Sequence, residues 1–276
     1  MRRRQSSTRA ELPARRRFGQ NFLVDPSAIG RIVAALGPVP GETILEIGPG
    51  RGALTDALLD AVPSIRAVEI DRGLAHRLRQ IHAADRLVLV EDDVLDVPFE
   101  AIAEGRALVI AGNLPYNISK PVAMKLVVER RFVSRAVLMF QREVADRLTA
   151  TPGSKAYGPI SVLAGRAFRI ERLFDLPPGA FRPSPKVVSS VTRWTKTDPD
   201  ALPEPLVAPL RAVLQASFAH RRQTIGKNLR EHLPGGEGAA RALLTAHGID
   251  PGARAEILSP DAFVALAADW PLSFPR

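Results

Sequence analysis

The chain has no cysteine. That excludes a disulfide framework, cysteine-ligated zinc, iron–sulfur clusters and a thiolate nucleophile. The five histidines, His76, His82, His220, His232 and His247, show no metal-ligand spacing, so no metal is expected. Long uncharged runs are also missing. The longest, residues 107–119, falls short of the ~20 residues that cross a bilayer. No secretory hydrophobic segment is present. These absences predict a cytoplasmic protein without a membrane partner. Tyrosine is scarce: Tyr116 and Tyr157 are the only two.

What is present is apolar surface and positive charge. Hydrophobic residues make up 46% of 276 and charged residues 24%, enough for a sizeable core. At about 150 residues per domain, the length suggests two units. The net charge is +9, and it is uneven. Residues 1–17 hold seven arginines (Arg2, Arg3, Arg4, Arg9, Arg15, Arg16, Arg17) against Glu11, so a basic arm precedes a nearly neutral body. Such an arm suits a polyanionic partner. A solubilising tail is the plain alternative. A transit peptide is the third, though Leu12 alone gives the arm no apolar face.

Over the front two-thirds of the chain, apolar runs alternate with helical patterns, and the pattern changes toward residue 190. Asp25-Pro26 opens a helix with Ile29, Ile32, Val33 and Leu36 at helical spacing. Strands are expected at 43–47, 65–70, 87–90, 107–111 and 136–140, with helices after 52, 71 and 119. That pattern predicts an α/β domain with a parallel sheet covered on both faces. Residues 187–194 read as a further strand. Pro199, Pro203, Pro205 and Pro209 then read as a linker, followed by helices. The expected division is an arm at 1–17, an α/β domain at 18–198 and a small helical domain at 199–276.

Chemistry concentrates at the strand ends. Glu46-Ile47-Gly48-Pro49-Gly50-Arg51-Gly52 joins a strand to a helix, and glycine there lets backbone approach a ligand. Gly48, Gly50 and Ala53 also satisfy a loose dinucleotide pattern, so the turn alone does not choose a ligand. Glu69 ends the second strand, where an acid binds ribose hydroxyls; Asp93 ends the third, where it reaches an adenine amino group. Successive strand-end acids without a pyrophosphate site suit S-adenosylmethionine, whose sulfonium tolerates acidic surroundings. Asn113-Leu114-Pro115-Tyr116 ends the fourth strand. The Asn113 side-chain oxygen and the Leu114 carbonyl would accept both hydrogens of an adenine amino group and turn its lone pair toward a methyl donor. Pro115 would stiffen the turn and Tyr116 would stack on the base. Attack by nitrogen needs no thiolate, which agrees with the missing cysteine.

At these residues the chain resembles the ribosomal RNA adenine-N6 dimethyltransferase family, over about residues 15–270. The resemblance runs through Phe18-Gly19-Gln20-Asn21-Phe22-Leu23, the Glu46 and Asn113 turns, Ser154-Lys155-Ala156-Tyr157-Gly158, Phe181-Arg182-Pro183-Ser184-Pro185-Lys186-Val187 and Phe218-Ala219-His220-Arg221-Arg222-Gln223-Thr224-Ile225. It implies a Rossmann-like methyltransferase domain with a small C-terminal helical domain. It implies S-adenosylmethionine at Asn21, Leu23, Gly48, Glu69, Asp93 and Asn113, with the target base between Tyr116 and Phe181. It also implies two methyl groups on each of two adjacent adenosines in the 3′-terminal hairpin of 16S rRNA in the small ribosomal subunit. The enzyme is expected to act as a monomer. Leu114 follows this family where many DNA adenine methyltransferases have proline, and Gln223 departs from its usual lysine.

Residues 211–232 carry five cations against Glu231. Read as one helix, Leu214, Phe218, Ile225 and Leu229 share one face, and His220, Gln223, Lys227 and Arg230 the other. By resemblance, Arg221, Arg222 and Lys227 contact RNA phosphates, which position a protein without reading sequence.

Overall fold

A computed structural model of the chain describes residues 20–271. The arginine arm at 1–17 lies outside the described residues. Short apolar runs become strands, and capped amphipathic stretches become helices. Chain order runs β1 (Phe22–Leu23), α1 (Pro26–Leu36), β2 (Thr43–Ile47), α2 (Ala53–Ala61), β3 (Ile65–Val68), α3 (Arg72–Ile81), β4 (Leu87–Val90), α4 (Phe99–Ala103), β5 (Leu108–Asn113), α5 (Ser119–Val128) and β6 (Val133–Gln141). Then come α6 (Arg142–Leu148), α7 (Pro159–Ala167), β7 (Phe168–Leu176), β8 (Phe181–Arg182), β9 (Ser189–Lys196), α8 (Val207–Ser217), α9 (Ile225–Arg230), α10 (Gly236–Ala246) and α11 (Pro260–Ala268). Asp25 and Asp71 cap α1 and α3, each carboxylate accepting from two amides of the first turn.

Seven strands form one sheet in the order β4-β3-β2-β5-β6-β9-β7. Strands β2 to β6 are parallel, as their alternation with helices predicts. Strand β9, which takes in the stretch read as a further strand, runs antiparallel to both β6 and β7. Between β7 and β9 lie only a 3-10 turn, Pro178–Ala180, and β8, with no α-helix, and antiparallel neighbours need no crossover. Side chains alternate between the faces. Ile44, Val109 and Val137 pack with Ile32 and Leu58 of α1 and α2. Leu45, Ile110 and Leu138 pack on the other face with Phe99 and Leu126 of α4 and α5.

The expected domain boundary falls between β9 and α8, and the second core continues across it. Leu202, Leu210, Val213, Phe263 and Leu266 belong to the same buried cluster as Leu126 and Trp194. The proline-rich stretch is not an extended linker. It forms two 3-10 turns, Pro199–Ala201 and Glu204–Leu206, and Pro209 is buried in the first turn of α8. Arg166 donates to the Ala201 carbonyl and Arg130 to the Leu202 carbonyl, which straps it down.

The basic segment is not one helix either. Helix α8 ends at Ser217 and α9 starts at Ile225. Buried Asn228 holds the turn between them. Its amide donates to the carbonyls of Ser217 (2.7 Å) and His220 (3.2 Å) and accepts from the His220 amide. The two faces read from a continuous helix therefore do not exist. Among the described residues, no helix is long and apolar enough to cross a membrane.

Candidate active site

The strand order places a crevice where β2 and β5 meet. From β2 the chain goes to β3 and β4 on one side; β5 and β6 lie on the other. The loops after β2 and β5 diverge there, and ligands of open α/β sheets bind at such a switch point. A cleft with about 1140 Å³ of atom-free space, its open mouth included, occupies this edge. Asn21, Leu23, Gly48, Glu69, Asp93 and Asn113 all line it, as do Leu114, Pro115 and Tyr116.

The glycines of the β2 turn have different reasons. Gly48 has φ +66°, and a Cβ there would meet nothing within 4 Å, so its backbone faces open cleft. At Gly50 (φ +59°) a Cβ would stand 3.0 Å from the Phe22 ring. That close approach is to the protein's own β1, not to a ligand. The spacing alone does not distinguish the two roles.

Glu69 is buried. Its Oε2 accepts from the Gly50 amide and its Oε1 from the Asp71 amide, both at 2.9 Å. Burial nevertheless holds its pKa above the usual carboxylate range. Asp93 Oδ1 accepts from the Leu95 amide at 2.9 Å, fixing the carboxylate at the end of β4.

Asn113 is the last residue of β5. Its Nδ2 donates to the Asn21 carbonyl at 2.8 Å. Only the NH₂ end of an amide can donate to a carbonyl, so this bond decides which end is Oδ1. No hydrogen bond engages Oδ1 or the Leu114 carbonyl among the described residues. Asn21 is held by the ribbon next to it: β1 pairs with β8, Leu23 opposite Phe181, and Val24 donates to Ala180. Gly112 lets β5 lie close to β2, since a Cβ there would stand 2.9 Å from the Ile47 carbonyl.

Tyr116 is half-buried, and its hydroxyl shares a 2.7 Å hydrogen bond with Ser189 of β9. Burial raises its pKa, and the Ser189 bond partly offsets this. Phe181 is elsewhere. It is 1% exposed, packs with Leu23 and Ala180 against one sheet face, and does not line the cleft. The sandwich expected between Tyr116 and Phe181 is therefore not the arrangement here. Pairing of β8 with β1 turns that ring into the core.

Two polar residues at the site carry no role in the sequence reading. Ser189 gives no local signal. Glu46 gives one: a lone carboxylate in the otherwise apolar strand Thr43–Ile47. It is 1% exposed and accepts a 2.6 Å hydrogen bond from the Thr55 hydroxyl. Burial, with Glu69 and Asp56 nearby, pushes its pKa up to about 8. A positive centre brought near these acids would favour their ionised forms, offsetting part of the cost of burying them.

The expected RNA contacts separate. Arg221 donates to the carbonyls of Lys155 (2.9 Å) and Tyr157 (3.2 Å), so it ties the Ser154–Gly158 block to the helical region. Tyr157 does the same from its side, donating to Leu258. Arg222 and Lys227 are exposed, and their side chains have no partner among the described residues. Gln223 turns inward, its Oε1 buried without a hydrogen bond.

The site fits an adenosine ligand with a positive centre, presented to an amino nitrogen held at Asn113. Known proteins agree. The family described as ribosomal RNA adenine dimethylase matches residues 12–269. Ribosomal RNA small subunit methyltransferase A of Aromatoleum aromaticum is 44% identical over 267 residues, 97% of this chain and 98% of that protein. Its counterpart in Acidithiobacillus ferrooxidans (strain ATCC 23270) is 44% identical over 255 residues, 92% and 93% of the two chains. The crystal structure of a dimethyladenosine transferase from Plasmodium falciparum superposes with TM-score 0.76 at 22% identity, covering 89% of this chain and 95% of that one. That of the 23S rRNA methyltransferase ErmE gives 0.67 at 24%, covering 91% and 99%. At such identities the two structures show a shared fold. Family match, fold and strand-end chemistry converge: the chain belongs to the ribosomal RNA adenine dimethylase family and is an S-adenosylmethionine-dependent enzyme of rRNA adenine dimethylation.

Proposed function

We propose that the protein methylates N6 of two adjacent adenosines in the 3′-terminal hairpin of small-subunit 16S rRNA, carrying each to N6,N6-dimethyladenosine. Its partner is the small ribosomal subunit, it acts there as a monomer, and it works in the cytoplasm. The observation that carries the reading is the Asn113–Leu114 turn, with two acceptors on the cleft wall and the Asn113 amide oriented by Asn21.

Asp93, Glu69 and Gly48 would hold the adenine, ribose and sulfur-bearing part of S-adenosylmethionine, with Asn21 and Leu23 closing over it. When bound, that cofactor supplies a methyl carbon on a positively charged sulfur. The protein's task is to prepare the nucleophile. The N6 lone pair is delocalised into the adenine ring. When Asn113 Oδ1 and the Leu114 carbonyl accept its two hydrogens, nitrogen moves toward tetrahedral geometry and its lone pair faces the methyl carbon. The N–C bond forms as the S–C bond breaks. The cationic product then loses a proton to water, so no strong base is required. Before the second transfer one N6 hydrogen remains, and the amine rotates to keep it on one acceptor.

Tyr116 offers its ring to the base, fixed by Ser189. Arg222 and Lys227 contact phosphates, whereas Arg221 serves the fold. Choice of adenosine then comes largely from ribosomal shape.

To test this, unmethylated small subunits are incubated with labelled cofactor and the RNA is digested. Dimethyladenosine at two neighbouring positions is expected. Monomethyladenosine as the only product would overturn the second transfer. Preferred labelling of large-subunit RNA or duplex DNA would overturn the substrate.

A further inference from the structure

The cleft wall holds a charged side chain that takes no part in preparing the nucleophile. Four carboxylates line the cleft, Glu46, Glu69, Asp92 and Asp93, and among the described lining residues Arg51 is the one cation. Its guanidinium carbon lies 4.4 Å from the centroid of the Phe22 ring. That ring in turn lies against Gly50. A guanidinium on an aromatic face is held by the ring quadrupole, and its planar fork matches a carboxylate.

The strand order says which part of the ligand comes near it. Asp93 after β4, Glu69 after β3, the glycine turn after β2 and Asn113 at the end of β5 stand in a row along the sheet edge. With adenine and ribose at the first two positions and the reactive methyl facing Asn113, the amino-acid tail attached to the same sulfur is left with the β2 turn and the Gln20–Leu23 segment. Arg51 and Phe22 join those two. The tail carries the ligand's single anion, its α-carboxylate, into a cleft lined by Glu69, Asp92 and Asp93 as well as by Glu46, which keeps its proton to about pH 8. Without a cation beside it, that carboxylate would be repelled.

We infer that Arg51 binds the α-carboxylate of S-adenosylmethionine and selects ligands that carry it. The inference rests on the cofactor assignment made under the proposed function.

Calorimetry with the full-length protein tests it, using S-adenosylmethionine and its decarboxylated analogue as probes. Arg51→Met should weaken binding of S-adenosylmethionine by about ten- to hundredfold, the range of a charge-assisted hydrogen bond. Binding of the decarboxylated analogue should stay within about threefold, which also shows that the variant is folded. Arg51→Lys should recover part of the loss. Equal weakening of both probes, or an unchanged preference for the carboxylated one, overturns the inference. If the wild type binds neither probe, the cofactor assignment falls first and this inference with it.

Discussion

Glu46 lets the site be tested by proton linkage. Its carboxyl is 1% exposed, and burial raises its pKa from 4.5 to about 8. Between those two pH values the folded chain keeps a proton that the unfolded chain has released. Stability therefore falls as pH rises through that window, and the full cost is present above about 8. A tenfold change in proton affinity is worth about 1.4 kcal/mol, so the cost reaches about 5 kcal/mol. Glu46→Gln keeps the shape and an oxygen for the Thr55 hydroxyl but cannot ionise. Urea unfolding from about pH 5.5 to about pH 9 reads the difference. The variant's advantage over the wild type should grow by about 3 kcal/mol from the acid end to the alkaline end. Glu69, also raised, leaves a residual slope in both proteins. Parallel stability curves, with a gap that does not change with pH, would refute the reasoning. Glu46 lines the cleft, so the stabilised variant should bind S-adenosylmethionine more weakly.

Three further outcomes are expected. Gly112→Ala should cost about 1–3 kcal/mol in urea unfolding, because the new Cβ meets the Ile47 carbonyl at 2.9 Å between the two central strands. Ser189→Ala and Tyr116→Phe should each lower kcat about five- to tenfold with cofactor affinity unchanged, and the double variant should be no worse, since each removes the same hydrogen bond. Arg222→Ala and Lys227→Ala should weaken subunit binding and each flatten its salt dependence by about one ion, whereas Arg221→Ala should lower the melting temperature.

The features legible in the sequence are those with local signals. Asp25-Pro26 and Asp71 write helix starts into single residues. Thr43–Ile47 and Leu108–Asn113 are short apolar runs ending in turns, and the strand-end residues of the cleft follow from them. Strand β7 escapes because Arg169, Glu171, Arg172 and Asp175 break its apolar pattern; it is held by pairing with β9 and by cross-strand charges such as Arg193 with Glu171. The β1–β8 ribbon is two residues per strand, joined across most of the methyltransferase region, and no spacing rule reports it. It decides two details of the site, the Asn21 carbonyl that orients Asn113 and the burial of Phe181. The break between α8 and α9 depends on one buried amide, Asn228, whose partners lie 8 and 11 residues away. Amphipathic spacing continues through such a break without marking it.

If Asn113 prepares the adenine nitrogen, and does not merely line the cofactor site, its loss should fall on the transfer step. Single-turnover methyl transfer by Asn113→Ala on small subunits, beside its affinity for S-adenosylmethionine, tests this directly. Loss of one preorganised acceptor should slow the first transfer by about 10²–10³-fold while cofactor affinity changes by less than about threefold. A transfer rate within about tenfold of the wild type, or a loss confined to cofactor binding, would contradict it.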